Sequence, residues 1–359
     1  MVIKSLELSN FRNFRLLDIN FDAKTNILYG DNAQGKTNIL EAIYLCATTK
    51  SHRGTKDRDI VAFDEQESHI RIFLDKKGDE VRIDMHLRKN GSKGIAIDGQ
   101  KLKRASQLLG VMNVVFFSPE DLSIIKNGPA ERRRFVDMEL CQLDSVYLRD
   151  LNSYNKIVNQ RNRLLKDMAF QPELSGTLDI WDMQLAGYAK RIIERRSVFA
   201  QELNGIIQEV HASLSGGKEK LEVVYEPHVH AEEVEERMQK NRERDIRMKQ
   251  TTTGPHRDDF AFVANGIDIR RFGSQGQQRT AALSLKLSEI ELVKRMTKDA
   301  PILLLDDVLS ELDSNRQNYL LNSIGNIQTI VTCTGLDEFV NNRFEINRVF
   351  HVSQGQISD

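Results

Sequence analysis

Apolar residues recur with a period of two over most of the first hundred positions. Met1-Val2-Ile3-Lys4-Ser5-Leu6-Glu7 alternates as a strand does. Ile70, Ile72 and Leu74, then Lys77-Gly78-Asp79, then Val81, Ile83, Met85 and Leu87 read as two strands joined by a turn. Between them the pattern changes. A short apolar run, Asn26-Ile27-Leu28-Tyr29, leads into a glycine-containing loop and then into a helical run through Ile39, Leu40, Ala42, Ile43 and Leu45. From about residue 119 to 248 the period lengthens to 3.6, over 133–163 and 178–214, with charged faces and few glycines. After Thr251 the alternation returns at Phe260 and Phe262, then Ile267 and Ile269. Two apolar runs follow, Ile302-Leu303-Leu304-Leu305 and Thr329-Ile330-Val331-Thr332. The order predicts an α/β fold whose core is split in sequence by a helical insertion: a first half over 1–118, an α-helical arm over 119–250 and a second half over 251–359. Residues 232–249 mix acids and bases so densely that a solvated helix or mobile connection is expected there, with no chemistry.

The loop after Tyr29 reads Gly30-Asp31-Asn32-Ala33-Gln34-Gly35-Lys36-Thr37, the G-x-x-x-x-G-K-[ST] octet, in its proper setting between a strand and a helix. Two glycines let the backbone turn its N–H groups onto an anion, Lys36 can reach the outer phosphates, and Thr37 can place its hydroxyl on Mg²⁺. ATP with Mg²⁺ is therefore the expected ligand. The run Ile302 to Leu305 ends in Asp306-Asp307, and an acid at the carboxyl end of a buried parallel strand stands where α/β sheets bind ligands. Asp306 is expected to hold the metal and Asp307 to act as the base toward the attacking water, with Lys36 the second catalytic group. Ser274-Gln275-Gly276-Gln277-Gln278 precedes another helical run and places a hydroxyl and open N–H groups at a helix N-terminus. Ser310, read locally, is a candidate helix cap.

Composition narrows the setting. The chain has 359 residues, 40% hydrophobic and 29% charged, enough for a large core, and its formal net charge of −1 confines any nucleic-acid contact to local basic patches. No apolar run approaches the roughly 20 residues of a membrane span, and the N-terminus has no secretory pattern. A cytoplasmic protein is expected, with Cys46, Cys141 and Cys333 as buried free thiols in a reducing compartment.

Taken in order, the phosphate loop, the helical insertion, Ser274-Gln275-Gly276-Gln277-Gln278, Leu303-Leu304-Leu305-Asp306-Asp307 and Ser310-Glu311-Leu312-Asp313 resemble the ABC-type P-loop ATPases of the structural-maintenance-of-chromosomes and recombinational-repair group. Further motifs place the resemblance in the repair branch and extend it over essentially the whole chain: residues 8–14, Ser51-His52-Arg53, 117–121, Gly128-Pro129 with 132–137, and 253–259. The resemblance implies an ABC head, a mixed sheet with helices, carrying an inserted helical arm. It implies that the signature helix of one subunit caps the nucleotide on the phosphate loop of another, with Ser274, Gln275, Gly276, Gln277 and Asp313 making that contact in trans. It places Arg12 and Asn13 near the phosphates. Members of the repair branch bind double-stranded DNA and gap junctions as ATP-induced dimers, hydrolyse ATP weakly with DNA stimulation, and work with RecR and RecO in loading RecA, in replication restart and in the SOS response. A nucleoid-associated location follows.

The sequence departs from many relatives in three places. No Gln stands in Phe117-Ser118-Pro119-Glu120-Asp121, where Glu120 becomes the candidate metal sensor. No His follows the last core strand, where Thr332 becomes the candidate γ-phosphate donor, and the base is an Asp instead of a Glu. A shorter reach and missing switch groups imply slow hydrolysis. On the DNA side, Arg132, Arg133 and Arg134 are the candidate phosphate contacts, with Lys190, Arg191, Arg195 and Arg196 beyond them, although three consecutive arginines cannot all face one way on a helix. Two other readings stand beside the clamp at this point, a small-molecule kinase and a transporter ATPase cassette.

Overall fold

The computed structural model describes residues 1–335 and 346–358. It forms two compact units, Met1–Asp121 with Leu285–Asp359, and Leu122–Ser284. In chain order the strands are β1 (Val2–Phe11), β2 (Phe14–Asn20), β3 (Thr25–Tyr29), β4 (Glu67–Lys76), β5 (Asp79–Arg88), β6 (Gly94–Ile97), β7 (Gln100–Lys101), β8 (Val114–Phe117), β9 (Leu221–Glu226), β10 (Asp259–Ala264), β11 (Ile267–Asp268), β12 (Ile302–Asp306), β13 (Thr329–Cys333), β14 (Arg348–Ser353) and β15 (Gln356–Ser358).

The first unit holds two sheets. One is antiparallel, in the order β2-β1-β4-β5-β6-β7. Its strands alternate, so Ile70, Ile72, Leu74, Ile83, Met85 and Leu87 enter the core while charged residues take the outer face. The other runs β15-β14-β3-β13-β12-β8, with β14, β3, β13, β12 and β8 parallel and β15 antiparallel at the edge. Strand β12 is buried at every position and reads as an unbroken apolar run ending in Asp306, as expected of a strand covered on both faces. Helix Lys36–Thr48 joins the core that both sheets share: Ile39, Leu40, Ala42, Ile43 and Cys46 are fully buried. Gln328 ties the sheets together. Its Oε1 accepts from Ile3 N at 2.7 Å, and its Nε2 donates to the carbonyls of Ile3 and Asp22, both at 2.8 Å.

The second unit is built on helices Pro129–Leu143, Ser145–Asp167 and Leu178–Ser215, and on a three-stranded sheet β11-β10-β9. At 38 residues the last helix is ~57 Å long. The domain boundary read from the sequence is corrected here, because residues 251–284 belong to this unit. Strand β10 pairs with β9, from within the expected arm, and never enters the nucleotide-binding sheet. Residues 232–249 are helical and mostly exposed, as the solvated-helix reading expected. They form two short helices, Val234–Lys240 and Arg242–Met248, and carry the fully buried Asp245, which accepts from Arg161 at 2.7 Å and from Thr252 Oγ1 at 2.6 Å.

Three arginines, Arg132, Arg161 and Arg196, are buried within the apolar interior of this unit. Arg196 is 1% exposed and donates to Tyr147 Oη, Pro255 O, Asp258 and Asp137 at 2.6 to 3.0 Å. Gly254, at φ +134°, sits where an added Cβ would lie 2.2 Å from Tyr154 Oη, and that hydroxyl bonds His256 Nδ1 at 2.6 Å. The 253–259 motif thus organises the arm. Among the described residues no helix is long and apolar enough to cross a membrane. Cys46 and Cys141 are buried; Cys333 is only half-buried, a correction to the expected set.

Candidate nucleotide site

Parallel strands bring their carboxyl ends to one edge, and the register fixes what meets there. Asp306 of β12 lies opposite Thr332 of β13, and Cys333 opposite Tyr29, the last residue before the phosphate loop. The loop has little freedom. Gly30 (φ +146°) has a position where a Cβ would stand 2.3 Å from Val352 O, and Gly35 (φ +119°) one 2.7 Å from Asn13 Nδ2, so both must be glycine. Asn13 Nδ2 donates to Gln34 O at 2.7 Å, and Gln354 N to Gln34 Oε1 at 2.7 Å, bracing the loop from two sides. Lys36, 4% exposed, spans the loop and donates to Gly30 O at 2.6 Å and Asp31 O at 2.9 Å. With its carbonyls held by the ammonium, the loop keeps N–H groups for an anion at the start of the helix.

Thr37 Oγ1 donates to Asp306 Oδ1 at 2.8 Å, and Thr332 Oγ1 donates to the same oxygen at 2.8 Å. Burial pushes the Asp306 carboxyl above the ordinary aspartate value of 3.8, against the two hydroxyl bonds, and the neighbouring Asp307 raises it further. A buried carboxylate beside a hydroxyl, both hard oxygen donors, fits Mg²⁺. The sign is testable. Above its raised folded pKa the ionised Asp306 costs stability in the metal-free protein, and the cost fades as pH falls toward the unfolded value. Asp306→Asn should therefore raise Tm at neutral pH, by a margin that shrinks on acidification, and should abolish any Tm increase caused by Mg²⁺ with nucleotide. A neutral-pH Tm below that of the parent would contradict this.

Asp307 adopts φ +51°, a left-handed conformation unusual for a residue with a side chain. Its N–H donates to Thr332 Oγ1 at 3.0 Å, and its carbonyl accepts from Ser310 Oγ at 2.8 Å. Thr332 is thus corrected from its expected part: its single hydroxyl proton is committed to Asp306, so it fixes the two aspartates and has none left for a phosphate. Ser310 is corrected too. It braces Asp307, while Asp313 caps helix Ser314–Ile324 by accepting from Asn315 N at 3.1 Å and Arg316 N at 3.0 Å. Glu120 is exposed on a 3₁₀ turn, Pro119–Asp121.

Arg12, at φ +54°, sends its guanidinium to Glu41 of the phosphate-loop helix, with Nε to Oε2 at 2.9 Å and Nη2 to Oε1 at 2.7 Å. Glu41 and Arg53 were absent from the sequence-based set. Glu41 did leave a signal: an acid inside the apolar run Ile39-Leu40-Glu41-Ala42-Ile43 is buried, and a buried charge must find partners.

The signature residues lie in the second unit. Ser274 N donates to Gln277 Oε1 at 2.8 Å, and Gln277 N to Ser274 Oγ at 3.2 Å, a reciprocal capping box on the 23-residue helix Gln275–Thr297. Ser274, Gln275 and Gly276 are exposed, so the positive end of the helix faces solvent.

Of the candidate DNA contacts, Arg132 is corrected. It is 2% exposed and forks onto Asp259 at 2.7 and 2.9 Å, so it serves the interior. Arg133 is half-buried and donates to Asp258 O at 2.6 Å, whereas Arg134 is exposed. Arg191 and Arg195 pair with Asp150 and Asp144. One further cluster, Glu67, His69 and His86, has ligand atoms within 4.8 Å of one another on the outer face of the antiparallel sheet. There Arg88 donates to His86 Nδ1 at 3.2 Å and lies 3.4 Å from Glu67, and His86 Nε2 bonds Glu67 Oε2 at 2.8 Å, so both nitrogens of His86 are already engaged.

Residues 2–358 match the family model described as RecF/RecN/SMC N terminal domain. The chain is 62% identical over 357 residues to the DNA replication and repair protein RecF of Agathobacter rectalis, covering 99% of each. It is 44% identical to the RecF of Clostridium acetobutylicum over the whole of both. A solved structure of the recombination mediator protein RecF with ATP, from the RecFOR pathway, superposes with a TM-score of 0.94 at 38% identity, over 99% of this chain and 97% of that one. An Smc head bound to the winged-helix domain of ScpA shares the fold at a TM-score of 0.57 and 17% identity. The fold is that of an ABC-type ATPase head, and the chain belongs to the RecF/RecN/SMC family, in its RecF branch.

Proposed function

We propose that this chain is an ATP-gated DNA clamp of recombinational gap repair. Lys36 and the loop N–H groups hold the triphosphate of ATP, Thr37 and Asp306 hold Mg²⁺, and Asp307 orients and deprotonates the water that attacks the γ-phosphate. The observation that carries the reading is the pairing of a complete phosphate site in one unit with an exposed, capped helix tip in the other. Ser274, Gln275, Gly276 and Gln277, with Asp313, then complete the site of a second copy, so that ATP joins two chains. A new charge-assisted bond contributes ~1.5–3 kcal/mol, so a few of them shift a monomer–dimer balance by orders of magnitude, less what desolvation takes back.

The close kinship with RecF proteins supports a duplex or a single-strand/double-strand junction as the gripped ligand, RecR and RecO as partners in loading RecA, and a nucleoid-associated place in the cytoplasm. Hydrolysis is slow and DNA-stimulated, in keeping with an aspartate base. Of the candidate contacts on the arm, Arg134, Lys190 and Arg191 are exposed and so are able to reach DNA phosphates, by contacts that are electrostatic and indifferent to sequence. Ser274→Arg tests the reading: ATP should still bind, while ATP-driven self-association and duplex affinity are lost. Self-association and duplex affinity equal to those of the parent would overturn it.

A further inference from the structure

Glu41 is fully buried and lies four residues beyond Thr37, on the same face of the phosphate-loop helix. Four side chains converge on its carboxylate. Arg12 forks onto both oxygens, Ser51 Oγ donates to Oε1 at 2.5 Å, Thr55 Oγ1 reaches Oε1 at 3.3 Å, and Arg53 stands 3.9 Å from Oε2. Arg12 is further fixed by Nη1 to Asp59 O at 2.9 Å and Nη2 to Thr55 Oγ1 at 2.9 Å. Arg53 Nη1 donates to Asn38 Oδ1 at 3.2 Å, and Asn38 Nδ2 donates to Asn13 Oδ1 at 2.8 Å, the asparagine that braces the phosphate loop. Burial pushes the Glu41 carboxyl up, yet the bonds from Arg12 and Ser51 and the charges of Arg12 and Arg53 outweigh it and leave it below the usual range, so it stays ionised.

Two guanidiniums and one carboxylate leave the cluster one unit positive, at the mouth of a loop built for a polyphosphate. We infer that Glu41 is a positioning residue of the nucleotide site: it holds Arg12 and Arg53 at the rim of the phosphate loop and so sets its affinity for a nucleoside triphosphate. The inference rests on the ATP reading above, and the experiment separates the two.

Equilibrium binding of a fluorescent ATP analogue to the full-length chain with Mg²⁺ is measured alongside thermal unfolding. If the parent protein does not bind, or Lys36→Ala binds as well, the ATP reading itself fails. Given that control, Glu41→Gln should weaken binding by roughly tenfold or more, the worth of one charge-assisted bond, and raise KM with kcat held. In an Arg12→Ala background the same change should cost less, because only Arg53 is left for the carboxylate to hold. Ser51→Ala removes a donor without leaving a buried charge unpaired, and should act in the same direction in a normally folded protein. Equal losses from Glu41→Gln with and without Arg12, or parental affinity in both Glu41→Gln and Ser51→Ala, would overturn the inference.

Discussion

Lys36→Ala is expected to abolish ATP binding, by a factor of about a hundred or more. The ammonium is buried and holds the carbonyls of Gly30 and Asp31. Removing it takes away the cation that meets the outer phosphates and also frees two carbonyls to turn toward them. Each charge-assisted bond contributes ~1.5–3 kcal/mol, so losing two costs at least two powers of ten. Lys36→Arg should fail as well, because a planar fork cannot sit between two carbonyls that converge on one tetrahedral nitrogen. Equilibrium binding checks both variants, with Tm to confirm folding; an affinity within threefold of the parent would contradict the expectation.

The second large effect lies in the arm. Arg196→Ala should destabilise the Leu122–Ser284 unit by about 3–5 kcal/mol, the usual penalty for stranding buried partners of a removed charge. Asp137, Asp258 and Tyr147 all depend on this guanidinium. Burial already pushes the Asp258 carboxyl above its ordinary range despite Arg196, and without the arginine its ionised form is less favoured still. The damage should therefore be worst at neutral pH and lessen on acidification, as Asp258 takes up a proton. Trp181, the single tryptophan, lies in the long helix Leu178–Ser215 and reports unfolding of this unit by fluorescence during urea titration. A loss under 1 kcal/mol would show that the network is incidental.

The buried arginines Arg132 and Arg196 mark where the sequence stopped being legible. The phosphate loop could be read because its parts are contiguous, strand, loop and helix in about twenty residues. Asp306 could be read because an unbroken apolar run ending in acids fits little besides a covered parallel strand that reaches a ligand edge. Arg132 and Arg196 looked like surface cations, since a sequence displays charge but not the carboxylate that neutralises it: Asp259 lies 127 residues from Arg132, and Asp258 lies 62 from Arg196. Thr332 was noticed for the right place and the wrong partner, because only the register of β12 against β13 shows its proton aimed at Asp306. Strand β10 misled for a related reason: a period of two reports a strand without saying which sheet receives it, and the pairing with β9 moved residues 251–284 into the arm.

Sedimentation velocity of the full-length chain without nucleotide, with ADP and with ATP in Mg²⁺ addresses the ATP-joined pair most directly. A dimer that forms with ATP, and stays monomeric with ADP or with no nucleotide, is the predicted result. An association state that is the same in all three conditions, while ATP is shown to be bound, would contradict it.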